Sequence, residues 1–233
     1  GTRMVRDLAA GGSADPVQLI RVGKRKLFFA AQTPDTGKEL FVTDGTKAGT
    51  RLARDIIPGP PGSQPEPGAA LGGRLIFNAE SSAGSELWSS NGRAGGTRLL
   101  RDLRLGPSGS DPIQFARAGA RVFFSAYTPA LGRELYATDG TMAGTALVRD
   151  IYPGTPWGGP TNVTAVGKWA FMSARSAKGV ELWRSNGIGT GLVRDILVGP
   201  GDSWPSGLVR VGKRLFFAAD DGTHGIELWM WRP

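Results

Sequence analysis

The sequence contains no cysteine. A disulfide framework and a thiolate metal site are therefore excluded. Histidine occurs once, as His224, so a histidine-rich metal centre and a two-histidine proton relay within one chain are excluded too. No run of about 18 apolar residues exists, which removes a membrane-spanning helix. A sustained 3.6-residue apolar period with caps is also missing, so almost no helix is expected. No strand-to-helix nucleophile elbow, G-x-S-x-G, occurs. No signal peptide is recognisable, and the chain opens inside a repeat, as a mature or excised domain would.

Acidic residues are the scarcer charge: 20 Asp and Glu stand against 28 Lys and Arg, a formal net charge of +8. This balance favours acidic partners such as polysaccharide, lipopolysaccharide, an anionic membrane or nucleic acid. Nucleic acid is the least favoured, because much of the arginine sits beside an aspartate in a repeated motif.

The rest of the composition is abundant in what a turn-rich β protein needs. Gly numbers 36 and Pro 16 of 233 residues, and 40% of the chain is apolar. Turns consume the first two and patterned strands the third.

Three motifs recur in register. GTRMVRDL at 1–8 returns at 49–56, 96–103, 144–151 and 189–196, at spacings of 48, 47, 48 and 45. ELFVTDG at 39–45 returns at 86–92, 134–140 and 181–187 and as ELWMW at 227–231. LFFAA at 27–31 returns near 75, 122, 169 and 215. Such periods mark a repeat architecture. Each repeat reads as four short strands separated by Gly, Pro and Asx-Gly turns. The second strand is apolar at consecutive positions (Leu27, Phe28, Phe29, Ala30), so both its faces must be buried. Sheets stacked face to face around an axis meet that demand.

The expected fold is therefore all-β: a single five-bladed β-propeller of four-stranded antiparallel blades over 1–233. Its blades fall at 9–56, 57–103, 104–151, 152–196 and 197–233 plus 1–8. The N-terminal strand at 1–8 is expected to complete the last blade, which otherwise lacks its fourth strand and would expose an edge.

The pattern from Glu134-Leu135-Tyr136-Ala137-Thr138-Asp139-Gly140-Thr141 through Ile151-Tyr152-Pro153-Gly154 resembles the ELWxxDGT-type repeat of large bacterial surface or secreted proteins. The likeness covers essentially the whole chain. Asn91 and Asn186 depart from it at the turn Asp, and the last repeat ends in Met230-Trp231-Arg232-Pro233. The resemblance implies a propeller-like domain in an extracellular or cell-surface setting. It carries over no activity and no catalytic residue.

The repeated Glu (39, 86, 134, 181, 227) reads as framework, with the repeated Arg-Asp pairs as its partners or as bridges to carbonyls. Asp44, Asn91, Asp139 and Asn186 read as Asx turns rather than calcium ligands, since each turn supplies one oxygen ligand only. Function is expected where repeats differ. The first strands, expected to line a central channel, carry Arg21, Arg117 and Arg210 at one position and Gln18, Gln114 and Asn162 at another. Trp157 and Trp204 lie in the long loops between repeats and offer flat apolar faces. His224 beside Asp220 and Asp221 reads as a solvated loop histidine. The function expected is a non-catalytic binding or scaffold propeller, monomeric and without cofactor or metal. It would recognise a glycan, an acidic polymer or a protein partner through its rim loops. A hydrolase or lyase centred on the three arginines is the alternative.

Overall fold

A computed structural model describes residues 1–154 and 158–233. The described chain is all-β, with one 3₁₀ turn at Ala94–Gly96. It forms five antiparallel sheets, four of four strands and one of three.

The strands group into two compact units, 1–112 and 113–233. The first unit holds two sheets. One contains β1 (Val17–Val22), β2 (Lys26–Thr33), β3 (Gly37–Thr43) and β4 (Arg51–Arg54); the other contains β5 (Glu66–Leu71), β6 (Arg74–Ser81), β7 (Gly84–Ser90) and β8 (Arg98–Arg101). Phe28, Leu40 and Val42 of one sheet pack with Leu75, Phe77 and Trp88 of the other. The opposite face of the first sheet, Phe29 and Phe41, is partly covered by Leu8 and Ala14. The consecutive apolar positions of β2 thus bury both faces, as the sequence requires.

The second unit holds three sheets. They are β9 (Ile113–Ala118), β10 (Arg121–Thr128), β11 (Gly132–Thr138) and β12 (Ala146–Arg149); β13 (Thr161–Val166), β14 (Trp169–Ser176), β15 (Gly179–Ser185) and β16 (Thr190–Arg194); and β17 (Ser206–Val211), β18 (Arg214–Asp220) and β19 (Ile226–Trp231). Their first strands lie side by side, β13 against both β9 and β17.

Neighbouring sheets are clasped by a repeated hydrogen bond. Arg54 Nη1 donates to Thr97 O at 2.8 Å and Arg149 Nη1 to Thr190 O at 2.7 Å. The repeated arginine thus reaches a carbonyl of the next sheet, one of its two expected roles.

Residues 1–8 differ from expectation: they form no strand, and the sheet of β17–β19 has three strands. They are mostly exposed and rest on the first sheet, where Arg6 Nη1 donates to Thr50 O at 2.6 Å, the same clasp as elsewhere. Without a fourth strand, Ile226 and Leu228 of β19 stay 74% and 75% exposed. A strand needs ladder partners for its backbone groups, and residues 1–8 make none in this arrangement.

Each first strand carries a β-bulge. Gln18, Gln114, Asn162 and Gly207 occupy it at φ +52, +62, +54 and +60. Proline cannot adopt a positive φ, so at Pro67 the extra residue moves to Gly68.

The glycines opening β3, β7 and β15, Gly37, Gly84 and Gly179, are fixed by close approach. A Cβ on Gly84, at φ +78, would stand 2.3 Å from Gly109 N and 2.6 Å from Pro107 O. Gly84→Ala is therefore expected to lose about 2–4 kcal/mol, read as a lower urea midpoint. Gly95→Ala, with nothing within 4 Å, should stay within about 0.5 kcal/mol of the parent.

Candidate functional site

The inter-repeat loops are held from below by the repeated glutamates. Glu39, Glu86, Glu134 and Glu181 are all fully buried. Their partners are chiefly backbone amides and loop serines, not the expected Arg-Asp pairs. Glu39 Oε1 accepts from the amides of Ile56, Ile57 and Ser63 at 3.0–3.1 Å, and Oε2 accepts from Ser63 Oγ at 2.6 Å. Glu86 accepts from the amides of Leu103 and Arg104 and from Ser110 Oγ; Glu181 accepts from those of Ile196 and Leu197 and from Ser203 Oγ. A buried carboxylate is tolerable when several donors converge on it. Each latch therefore pins both ends of a loop to the sheet beneath. Burial raises the pKa of Glu39, Glu86 and Glu181, and the serine and amide hydrogen bonds oppose it.

The third repeat departs from this pattern. Gly158 stands where the other loops place serine, and a Cβ there would lie 2.3 Å from Glu134 Oε1. Glu134 Oε2 accepts from the Ile151 amide at 2.9 Å. Its Oε1 has no hydrogen-bond partner among the described residues. Burial, with the nearby Asp150 carboxylate adding to it, pushes the Glu134 carboxyl up to about 7.

The turns behave as read. Asp44 Oδ1 accepts from the Thr46 amide at 3.0 Å, and Asp139, Asn91 and Asn186 do the same for the residue two ahead. Among the described residues no group of acids and histidine has the geometry for a metal.

Beyond each loop serine the chain displays one residue outward. Gln64, Asp111 and Trp204 each follow a latched serine, precede a proline, and hold φ of +47, +47 and +48. All three are exposed. The residue before proline normally prefers extended backbone, and a left-handed conformation costs a non-glycine residue about 1–2 kcal/mol. For a bulky indole such a φ is an outlier. Trp204 nonetheless sits there 60% exposed, between buried Ser203 and Pro205. Arg175 lies 5.9 Å from the ring centroid and is paired with Asp202 at 2.7 Å. Trp157 lies outside the described residues.

Arg117 and Arg210 are exposed, and each donates its Nε to the carbonyl of its own turn, Gly119 O at 3.3 Å and Gly212 O at 2.9 Å. Arg21 is exposed on β1 in the other unit and lines a groove there with Lys24 and Arg25. Gln18, Gln114 and Asn162 are exposed at their bulges. His224, 71% exposed, bonds Asp221 through Nδ1 at 2.9 Å, which raises the imidazole pKa and lowers that of the carboxyl. Sequence reasoning missed Ser63, Ser110 and Ser203, although the Gly-Ser or Asp-Ser step two residues before a proline marks all three.

No protein-family model and no curated protein sequence matches the chain. Solved structures do resemble it. One comes from a study of two prolyl endopeptidases (TM-score 0.59, 14% identity, 93% of this chain and 34% of that one). Another is prolyl oligopeptidase B from Galerina marginata (0.58, 11%, 92% and 32%). A third is the Pyrococcus horikoshii acylaminoacyl peptidase (0.54, 13%, 93% and 36%). The chain spans about a third of the length of these proteins. At such identities the likeness concerns the fold alone, which is all-β and β-propeller-like.

Proposed function

We propose that the chain is a non-catalytic binding module that recognises a glycan through its inter-repeat loops, with Trp204 as the principal contact. The carrying observation is that indole, held outward in a disfavoured backbone conformation by the Glu181–Ser203 latch. Backbone strain that the surroundings sustain is a pointer to function. An exposed indole offers a flat face to a sugar ring, and Arg175 beside it offers donors to ring hydroxyls. An acidic polymer or a protein surface would use the same groups. A cell-surface setting suits all three ligands.

Trp204→Gly relieves the φ and removes the ring. On a glycan array and by titration it should lose binding while thermal stability holds or rises. Retained binding would sink the reading. The alternative, a hydrolase or lyase centred on Arg21, Arg117 and Arg210, draws less support, since Arg117 and Arg210 each spend a nitrogen on their own turn.

The architecture we infer for this module is a five-bladed propeller over 1–233, with residues 1–8 as the fourth strand beside β19. Only the acid half of a fifth latch is present, and it is unmade. Glu227 is exposed, Ala14 stands where the other loops place serine, and a Cβ on Gly225 would meet nothing within 4 Å. By analogy with Leu40 opposite Arg54, Leu228 would face Arg6. Strong hydrogen-exchange protection at Leu228, lost when residues 1–8 are deleted, is the expected result; an unprotected amide in the full chain would refute closure.

A further inference from the structure

The turn between the first two strands of the first sheet differs from its counterparts. Gly23, Lys24 and Arg25 separate the paired residues Val22 and Lys26. Only two residues fill the same turn elsewhere: Gly72-Gly73, Gly119-Ala120, Gly167-Lys168 and Gly212-Lys213. The extra residue adds a cation, and the result is Lys24-Arg25-Lys26 in sequence.

These side chains do not share one fate. Lys26 Nζ donates to Asn91 O at 2.8 Å and serves the seam. Its counterpart Arg74 is likewise committed, to Ser89 Oγ and Gly96 O. Arg21, Lys24, Arg25 and Lys26 are all exposed, and they line a groove of about 630 Å3 that also holds Asp44 and Thr46. Pockets for small ligands run from about 300 to 1,000 Å3. Four cations and one carboxylate on a concave surface concentrate anions there.

We propose that this groove binds a polyanionic glycan, its cations pairing with carboxylate or sulfate groups along the polymer. Arg21 and Arg25 can each hold such a group through two parallel N–H donors, and Lys24 adds a point charge. The Asp44 carboxylate supplies an acceptor for sugar hydroxyls. Its Oδ1 is fixed by the Thr46 amide and hydroxyl, so the group is oriented before any ligand arrives. A DNA backbone has no hydroxyl donors to use that acceptor. No aromatic side chain lines the groove among the described residues, and single-stranded nucleic acid relies on such stacking. An acidic glycan therefore fits the lining better than single-stranded DNA does. The site rests on the binding-module reading but not on Trp204.

The test uses the full chain, with polygalacturonate, heparin and poly(dT) as probes in isothermal titrations over a salt series. Lys24→Glu with Arg25→Glu should weaken the better of the two glycans at least about tenfold and reduce the salt slope by about 2. The preferred probe tells carboxylate from sulfate recognition. Lys168→Glu with Lys213→Glu changes net charge equally at the counterpart turns and should weaken binding less than twofold. An unchanged unfolding midpoint confirms that the groove variant folds. If it does not fold, the alanine pair at 24 and 25 replaces it, with a loss of about fivefold expected. Equal losses in the groove and control pairs, no loss in the groove pair, or tighter binding of poly(dT) would each overturn the proposal. Failure of both glycans to bind would overturn it too, and Trp204→Gly then judges the broader reading separately.

Discussion

Glu39→Ala is expected to destabilise the protein by about 4 kcal/mol, read as a large drop in the urea midpoint. The side chain is fully buried and accepts from the amides of Ile56, Ile57 and Ser63 and from the Ser63 hydroxyl. Truncation removes the acceptor and strands all these donors where water does not readily reach. An unsatisfied buried polar group costs about 1–3 kcal/mol. Partial hydration of the loop keeps each of the four donors near the low end of that range, which gives about 4 kcal/mol. Against a typical total of about 5–15 kcal/mol, this is a large share. Ser63→Ala removes one donor and leaves the amides bonded, so about 1 kcal/mol is expected. Similar losses for the two variants would show that the amides do not depend on the carboxylate.

The second large effect is a fall in stability as pH rises. The folded-state pKa of Glu134 is raised to about 7 from an ordinary 4.5. Between those values the folded chain holds a proton that the unfolded chain has released. The stabilisation is therefore complete below about pH 4.5 and is lost as pH rises through about 7. At about 1.36 kcal/mol per pH unit, the loss is about 3 kcal/mol. Glu39, Glu86 and Glu181 shift in the same direction, so they steepen the profile. Glu134→Gln keeps the shape and cannot ionise. Its unfolding free energy should change much less than the parent's between pH 5 and pH 7.5. An equal slope in both proteins would assign the effect elsewhere.

The strand order of each repeat was legible because it rests on side-chain pattern. Consecutive apolar residues at 27–30, the Asx-Gly turns and the glycines before second strands each have one structural meaning. The glutamate latch was legible only by half. An acid repeated in every sheet reads as framework, but in the four sheets where it is buried its partners are mostly backbone amides. Amides are present at nearly every position, so no residue type announces which ones converge. The serines do announce themselves, and Gly158 in their place singles out Glu134. Residues 1–8 carry the pattern of a fourth strand, yet pattern fixes a strand only when a partner edge is beside it. Trp204 could be read as a loop tryptophan; its outward presentation depends on a backbone angle that the residue before proline would not be expected to adopt. The anticipated trio of Arg21, Arg117 and Arg210 was chosen by equivalent position. Side-chain length let two of them turn back onto local carbonyls instead.

The arginine clasp gives the array a polarity. Arg6 reaches Thr50, Arg54 reaches Thr97 and Arg149 reaches Thr190, so in each of these pairs the earlier segment donates and the later one accepts. Coupling of this nearest-neighbour kind makes stability accumulate link by link. Within a unit, a repeat cut at the Gly-Thr steps 49–50, 96–97 or 189–190 keeps its arginine donor and meets an identical threonine carbonyl at the new junction. The interchangeable unit is thus the interval from one clasp to the next, and the loops that carry Gln64, Asp111 and Trp204 travel with it as replaceable tips.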